Sequence, residues 1–174
     1  MSQKTEMEMM GQPISLKVLR KEGKFAMMQS MGGNESKTVV ADGKGFVVSA
    51  EGSQDLPAEA VERMSNAPMF IELDYTKGGL KAQIETTEKV DGRDAYKVVF
   101  KKGDKVMNTK WYDTNSGLEL KSLSPMGEMF IKEYQEIKGI KFPKKSVINA
   151  NGMELPMEIT VDYNIEIPDS EFQK

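Results

Sequence analysis

The chain has 174 residues, 29% of them charged, and a formal net charge of −3, which together are typical of one soluble globular domain. The weak negative charge does not favour binding to nucleic acid or to an anionic membrane surface. Histidine and cysteine are both absent, which excludes serine–histidine and thiolate catalysis, histidine–zinc sites and disulfides.

Glycine-containing turns divide the chain at short intervals, and alternating apolar and polar residues lie between them. Such turns supply the positive φ that tight hairpins require, so the pattern predicts about ten antiparallel strands. The apolar members of the successive runs are Ile14, Leu16 and Val18; Phe25 and Met27; Leu80, Ala82 and Ile84; Tyr96, Val98 and Phe100; Met107 and Trp111; and Leu118 and Leu120.

One segment has a helical pattern. Asp55 is a candidate N-cap, Leu56 and Pro57 fit the first turn, and Leu56, Ala60, Val61 and Met64 fall on one side. The helix should end before Pro68, so we expect it over residues 55–66. The predicted fold class is α+β and mostly antiparallel β: a curved open half-barrel with this one main helix packed on the concave face.

The clearest strand lies near the end of the chain. Every odd position from Met153 to Ile167 is apolar and every even position is polar or proline, which predicts one long strand with one buried face. The residues that follow, Pro168–Phe172, resemble a terminal turn in which Phe172 anchors the chain to the core.

A comparison of areas suggests an uncovered apolar face. Ten strands at about 4.8 Å spacing form a sheet roughly 48 Å wide, whereas a ten-residue helix is about 15 Å long and 10 Å across. The sheet must therefore close on its own side chains, enclose a cavity, or dock a partner. The fourteen methionines suit either an ordinary core or an adaptable binding surface.

Alternation alone selects a candidate apolar lining, with each member also suited to an ordinary core position. Its residues are Phe25, Met27, Val98, Phe100, Met107, Trp111, Leu118 and Leu120. We expect no catalytic residue, no metal and no cofactor. The alternative is a carboxylate enzyme that uses residues such as Glu133, Glu136 and Asp113. The segment Asp113–Gly117 resembles the start of a calcium loop, but a hairpin turn explains it better because the later acidic ligands are missing.

The charge pattern and the start of the chain add few constraints. Lys101, Lys102, Lys105 and Lys110 are interpreted as a solvated strand face. No apolar run reaches transmembrane length, and no signal-peptide pattern opens the chain. We expect that a leader or a lipid anchor preceded residue 1 and was removed.

Four segments resemble the LolA/LolB-like outer-membrane lipoprotein-sorting superfamily. They are Val90–Val98 (VDGRDAYKV), Trp111–Leu118 (WYDTNSGL), Tyr134–Pro143 (YQEIKGIKFP) and Ile167–Phe172 (IPDSEF). They are most similar to versions sometimes associated with insulinase-type zinc peptidases. That peptidase activity does not apply to this chain, which lacks the histidines of such a site.

The resemblance implies a single LolA-like domain over residues 1–174, a periplasmic or otherwise extracytoplasmic location, and an apolar ligand. The favoured hypothesis is a non-enzymatic carrier or sensor of a lipid or lipoprotein acyl chain. The alternative is an accessory domain that binds a membrane-associated or peptidase partner. We expect a monomer with no transmembrane segment and no nucleic-acid partner.

Overall fold

The computed structural model describes residues 1–66, 75–76, 79–124, 127–150 and 152–174. In these ranges the chain forms thirteen strands, one α-helix and one short 3-10 helix. They are β1 (Ser2–Met9), β2 (Gln12–Lys21), β3 (Lys24–Met31), β4 (Asn34–Ala41), β5 (Lys44–Ser49), β6 (Gly52–Asp55), α1 (Ala58–Ser65), β7 (Lys81–Val90), β8 (Arg93–Lys102), β9 (Lys105–Asp113), β10 (Glu119–Ser124), β11 (Gly127–Ile137), β12 (Ile140–Ala150), β13 (Met153–Asp162) and the 3-10 helix Asp169–Phe172.

The strands form one sheet in the order β6-β5-β4-β3-β2-β1-β13-β12-β11-β10-β9-β8-β7. Among the described strands β6 and β7 are its two edges, so the sheet is open. The ladders within β1–β6, within β7–β12 and between β1 and β13 are antiparallel. The predicted fold class, mostly antiparallel β with an open sheet and one main helix, is confirmed, with thirteen described strands rather than about ten.

The hairpin turns follow the glycine pattern. Between β7 and β8, for example, Asp91 and Gly92 have φ of 48° and 78°. Two successive positive φ values are those of a type I′ turn, whose twist matches that of the flanking strands.

Contacts divide the chain into two compact units. Unit 1 comprises Met1–Ala67 and Met157–Lys174, and unit 2 comprises Pro68–Pro156. The single-domain expectation for residues 1–174 stays a prediction. No helix in the described ranges is both long and apolar enough to cross a membrane.

In unit 1, α1 packs on one face of β3, β4 and β5. It begins at Ala58, later than predicted, and Asp55 makes no side-chain cap. The reason is that the backbone N–H of Leu56 donates to the carbonyl of Gly45 at 2.8 Å, which keeps the chain extended past β6. Pro57 is still extended, with ψ of 146°, and helical geometry starts only after it.

The opposite face of the same strands is covered by the end of the chain. Ile167 and Phe172 are buried in a cluster with Leu19, Ala26 and Val39, so Phe172 has the anchoring position that its sequence suggested. The strand predicted over Met153–Ile167 ends at Asp162, because the chain turns at Asn164, where φ is 54°. Ile167 then reaches the cluster from outside the sheet.

Candidate ligand-binding surface

In unit 1, the face that carries α1 is apolar; we call it the α1 face. Under the helix, Val61 packs with Phe25 and Val40, and Val18, Met27, Leu56 and Met64 join the margin of this cluster. Phe25 and Met27 belong to the predicted lining, and the structure brings these two together.

The α1 face continues beyond the helix as an apolar strip on β13, β1 and β2. Ladder pairs place Met157 beside Met7 and Met7 beside Ile14, and place Thr5 between Ile159 and Leu16. The β13 members Met157, Ile159 and Val161 are buried, whereas Met7, Ile14 and Leu16 are half-buried. We call these six side chains the β13–β1–β2 strip. The alternation of β2 and β13 is visible in the sequence, but none of these six residues belongs to the predicted lining.

A glycine sets how closely α1 approaches the sheet. A Cβ on Gly45 would lie 2.8 Å from Cγ2 of Val61 and 3.0 Å from Cδ1 of Leu56. These distances are shorter than van der Waals contact, so the α1 packing requires the absence of a side chain at this position of β5.

Two open grooves also lie in unit 1. One of about 950 Å³ lies at the β4–β5 turn and includes Phe46, Leu56, Val61 and Phe172 in its walls. A second, of about 690 Å³, lies over Lys17, Met28, Lys37 and Val48. These four side chains occupy one ladder row, and Met28 packs against the Phe172 cluster, so this groove is on the face opposite α1.

In unit 2, the predicted lining residues divide between the two faces of the sheet. Val98 lies opposite Lys110, and Phe100 lies opposite Asn108, so these four share one face. Phe100 is buried, and its ring contacts that of Tyr75 edge-on at a centroid distance of 5.9 Å. Trp111 lies opposite Lys97 instead, on the other face.

The Trp111 face holds a second apolar cluster. Trp111 and Leu120 are buried with Val90 and Ala95, and Phe130 packs against them. The remaining lining candidates are elsewhere: Leu118 is half-buried before β10, and Met107 is exposed. The structure therefore groups the predicted residues as Phe25 with Met27, Val98 with Phe100, and Trp111 with Leu120.

Charged side chains surround Trp111. Its indole Nε1–H donates to Oε1 of Glu88, and the ammonium of Lys121 lies 4.7 Å from the ring centroid. The same ammonium lies 5.2 Å from the centroid of Phe130 and forms an ion pair with Glu128. These contacts shield the aromatic side chains of this face with lysine and carboxylate groups.

The Val98 face carries a polar pair among its apolar side chains. The Nζ of Lys110 lies 2.8 Å from Oε2 of Glu119, and both side chains are largely buried. The hydroxyl of Tyr134 donates to the main-chain carbonyl of Glu119 at 2.7 Å. A buried ion pair is costly to separate, so these groups should stay paired.

Two of the three candidate catalytic carboxylates, Asp113 and Glu133, have structural partners. Asp113 accepts hydrogen bonds from the backbone N–H groups of Asn115 and Ser116, which lower the pKa of its carboxyl group. These hydrogen bonds agree with the interpretation of Asp113–Gly117 as a hairpin turn. The ammonium of Lys144 binds Glu133 and lowers its pKa in the same way. Within the described ranges, no three carboxylates are grouped as metal ligands.

Comparisons with known proteins bear on the fold alone. No protein-family model matches the chain, and no curated protein sequence matches it significantly. A LolA superfamily protein from Nitrosomonas europaea is similar in structure with a TM-score of 0.64 and 13% identity, over 99% of this chain and 88% of that one. A DUF1329 family protein from Desulfovibrio piger has a TM-score of 0.58 and 14% identity, over 99% and 89%. The resemblance to the LolA superfamily is thus confirmed: this chain has a LolA-like fold.

Proposed function

We propose that this protein is a non-enzymatic, extracytoplasmic carrier or sensor that binds a lipid, a lipoprotein acyl chain or another apolar ligand. The observation that supports the proposal is the β13–β1–β2 strip. Its half-buried members Met7, Ile14 and Leu16 lie on the α1 face beside the buried side chains of β13, while α1 itself packs on β3, β4 and β5. The LolA-like fold agrees with an apolar ligand and with a location outside the cytoplasm.

The dimensions of the strip suit part of an acyl chain. Three strands at about 4.8 Å spacing and five residues at about 3.3 Å rise give a surface roughly 10 by 13 Å. Each methylene group removed from water contributes about 0.8 kcal/mol before the entropic cost of binding. Methionine side chains adapt to a flexible chain because they rotate about three bonds.

We assign further lining residues within each unit by itself. In unit 1 we assign Phe25 and Met27, which lie beside it under α1. In unit 2 we assign Val98 and Phe100, on the face that carries the Lys110–Glu119 pair. Met107, Trp111, Leu118 and Leu120 are not part of the proposed surface, because they lie on the other face, at its margin or in solvent.

The test is displacement of a fluorescent fatty acid by unlabelled fatty acids and by a diacylated lipopeptide, with native mass spectrometry of the complex. Replacing Met7→Gln and Leu16→Gln together should weaken binding by at least tenfold, because polar groups then line the strip. The matched control is Val48→Ser, which changes a half-buried apolar residue on the opposite face. Equal binding by both variants, or no binding by the unmodified chain, contradicts the proposal.

A second candidate function is that of an accessory domain for a membrane-associated or peptidase partner. The edge strand β7 favours it, because nine of its ten residues are exposed. An exposed edge can pair with an extended segment of another protein. Thr87→Pro removes one backbone donor from this edge, so loss of a co-purifying protein in that variant, with fatty-acid binding retained, would favour this function.

A further inference from the structure

The hairpin between β8 and β9 combines exposed apolar side chains with a cluster of lysines. Lys102 and Lys105 are ladder partners, and Gly103 and Asp104 form the turn between them. Lys101 pairs with Val106 in the next ladder position. The short segment Lys101–Met107 thus carries three lysines, one aspartate and two apolar residues at its end.

A β-bulge exposes both apolar residues. Lys101 pairs with Val106, whereas Phe100 pairs with Asn108, so Met107 is an additional residue without a ladder partner. Val106 and Met107 are each 51% exposed. In a regular strand two successive side chains point to opposite faces and one of them is usually buried. Here neither contributes fully to a core.

The lysines of this hairpin differ from others in unit 2. Lys97, Lys121 and Lys132 each form an ion pair with a carboxylate, to Glu85, Glu128 and Asp91 respectively. Within the described ranges, Lys101, Lys102 and Lys105 have no such ion pair. Lys81 lies opposite Lys101 in the ladder and adds a fourth positive charge, which Asp104 offsets in part.

Another hairpin of unit 2 has an exposed apolar residue near lysines but differs in its charges. The β11–β12 hairpin also has an exposed isoleucine, Ile140, between lysines. There Lys141 lies opposite Glu136 in the ladder, so an acidic residue accompanies the positive charge. In the described ladders no carboxylate lies opposite Lys101, Lys102 or Lys105, and the acidic residue that interacts electrostatically with Lys101, Glu85, is already paired with Lys97.

We propose that the β8–β9 hairpin docks this protein on a bilayer surface that contains anionic phospholipid. The ammonium groups of Lys101, Lys102 and Lys105 contact lipid phosphates, while Val106 and Met107 enter the boundary between headgroups and acyl chains. The negative net charge of the whole chain does not prevent this, because salt screens charges farther away than about 8 Å. The proposal is independent of any ligand on the α1 face.

The first test is flotation of the full chain with phosphatidylcholine vesicles, with and without phosphatidylglycerol, at low and physiological salt. We expect binding to the anionic vesicles that weakens as salt increases. Replacing the three lysines by glutamine should reduce partitioning by about a hundredfold, and Val106→Ser with Met107→Ser by about tenfold. The matched control, Ile140→Ser with Lys138→Gln and Lys141→Gln, should bind like the unmodified chain.

The second test locates the contact. The chain has no cysteine, so Met107→Cys provides a single thiol for an environment-sensitive fluorophore. Its emission should shift to the blue on anionic vesicles and be quenched by lipids with a spin label near the headgroup. The same fluorophore on Ile140→Cys should show neither change.

Three results would overturn the proposal: no flotation with anionic vesicles, equal flotation of the lysine variant and the unmodified chain, or the same emission shift at both labelled positions. Binding to polyglutamate but not to vesicles would also overturn it, and would assign the hairpin to an acidic protein partner instead.

Discussion

Lys21 forms hydrogen bonds with the carboxylate of Asp169 and with the main chain of Ile167 at the same time. Its ammonium group donates to the carboxylate of Asp169 and to the main-chain carbonyl of Ile167, each at 3.1 Å. Lys24 lies 3.3 Å from the same carboxylate. The hydrogen bonds from Lys21 and Lys24 lower the pKa of Asp169. This clamp fixes the end of the chain against β2 and β3.

The first prediction concerns the pH dependence of the clamp. Because the folded-state pKa of Asp169 is lowered, its contribution to stability is present above the ordinary aspartate pKa and is lost as pH falls through the lowered value. Asp169→Asn should therefore remove part of the acid sensitivity of the amide exchange of residues 167–172. Hydrogen exchange between pH 3 and pH 7 measures this. Asp162→Asn is the control, and the same loss of acid sensitivity there would contradict the clamp.

The second prediction concerns the anchor itself. Phe172 is buried against Leu19, Ala26 and Val39, so Phe172→Ala should lower the free energy of unfolding by about 3 kcal/mol. Urea denaturation measures the loss. Its neighbour Gln173 is exposed, and Gln173→Ala should change the stability by less than about 0.5 kcal/mol. Similar values for the two variants would show that the segment is not anchored.

The third prediction tests the approach of α1 to the sheet. Gly45→Ala inserts a methyl group between Val61 and Leu56 and should destabilise the protein by about 1–3 kcal/mol. Adding Val61→Ala removes Cγ2 of Val61, the atom nearest to the new methyl group. The double variant should therefore lose less free energy of unfolding than the sum of the losses of the two single variants. Thermal unfolding of the four proteins measures the coupling. Strict additivity would mean that the two residues do not meet.

The fourth prediction concerns the β9–β10 turn. Asp113 accepts two backbone hydrogen bonds, at 2.9 Å from Asn115 and 2.8 Å from Ser116, and these lower its pKa. Protonation at low pH should therefore loosen the turn, and Asp113→Asn should abolish this part of the acid dependence. Exchange rates of the Asn115 and Ser116 amides measure it. If those amides exchange equally fast in the unmodified protein and in the Asp113→Asn variant at neutral pH, the carboxylate does not stabilise the turn.

Alternation and turn residues predicted most of the strands because each depends on nearby residues. The β7–β8 turn at Asp91–Gly92 and the buried odd positions of β13 are examples. The start of α1 could not be predicted in this way, since it depends on the hydrogen bond from Leu56 to Gly45 across eleven residues. The same holds for the end of β13, where Ile167 leaves the sheet to join a distant cluster.

The position of Trp111 shows why the candidate lining residues do not all lie on one face of the sheet. A two-residue turn that pairs Lys102 with Lys105 would, without a bulge, place Trp111 opposite Tyr96 and therefore on the face of Val98. The additional residue at Met107 shifts the register by one, so that Trp111 lies opposite Lys97. A shift of one residue moves a side chain to the other face, and nothing in the local alternation indicates it.

The cluster that Ile167 and Phe172 complete also has a consequence for the order of folding. Leu19, Ala26 and Val39 belong to strands near the start of the chain, but their cluster is completed by Ile167 and Phe172, more than a hundred positions later. A fragment made of the first six strands would expose this cluster to water. Closing so distant a contact is entropically slow, so the early strands should remain vulnerable to proteases and to aggregation until Ile167 and Phe172 have been synthesised.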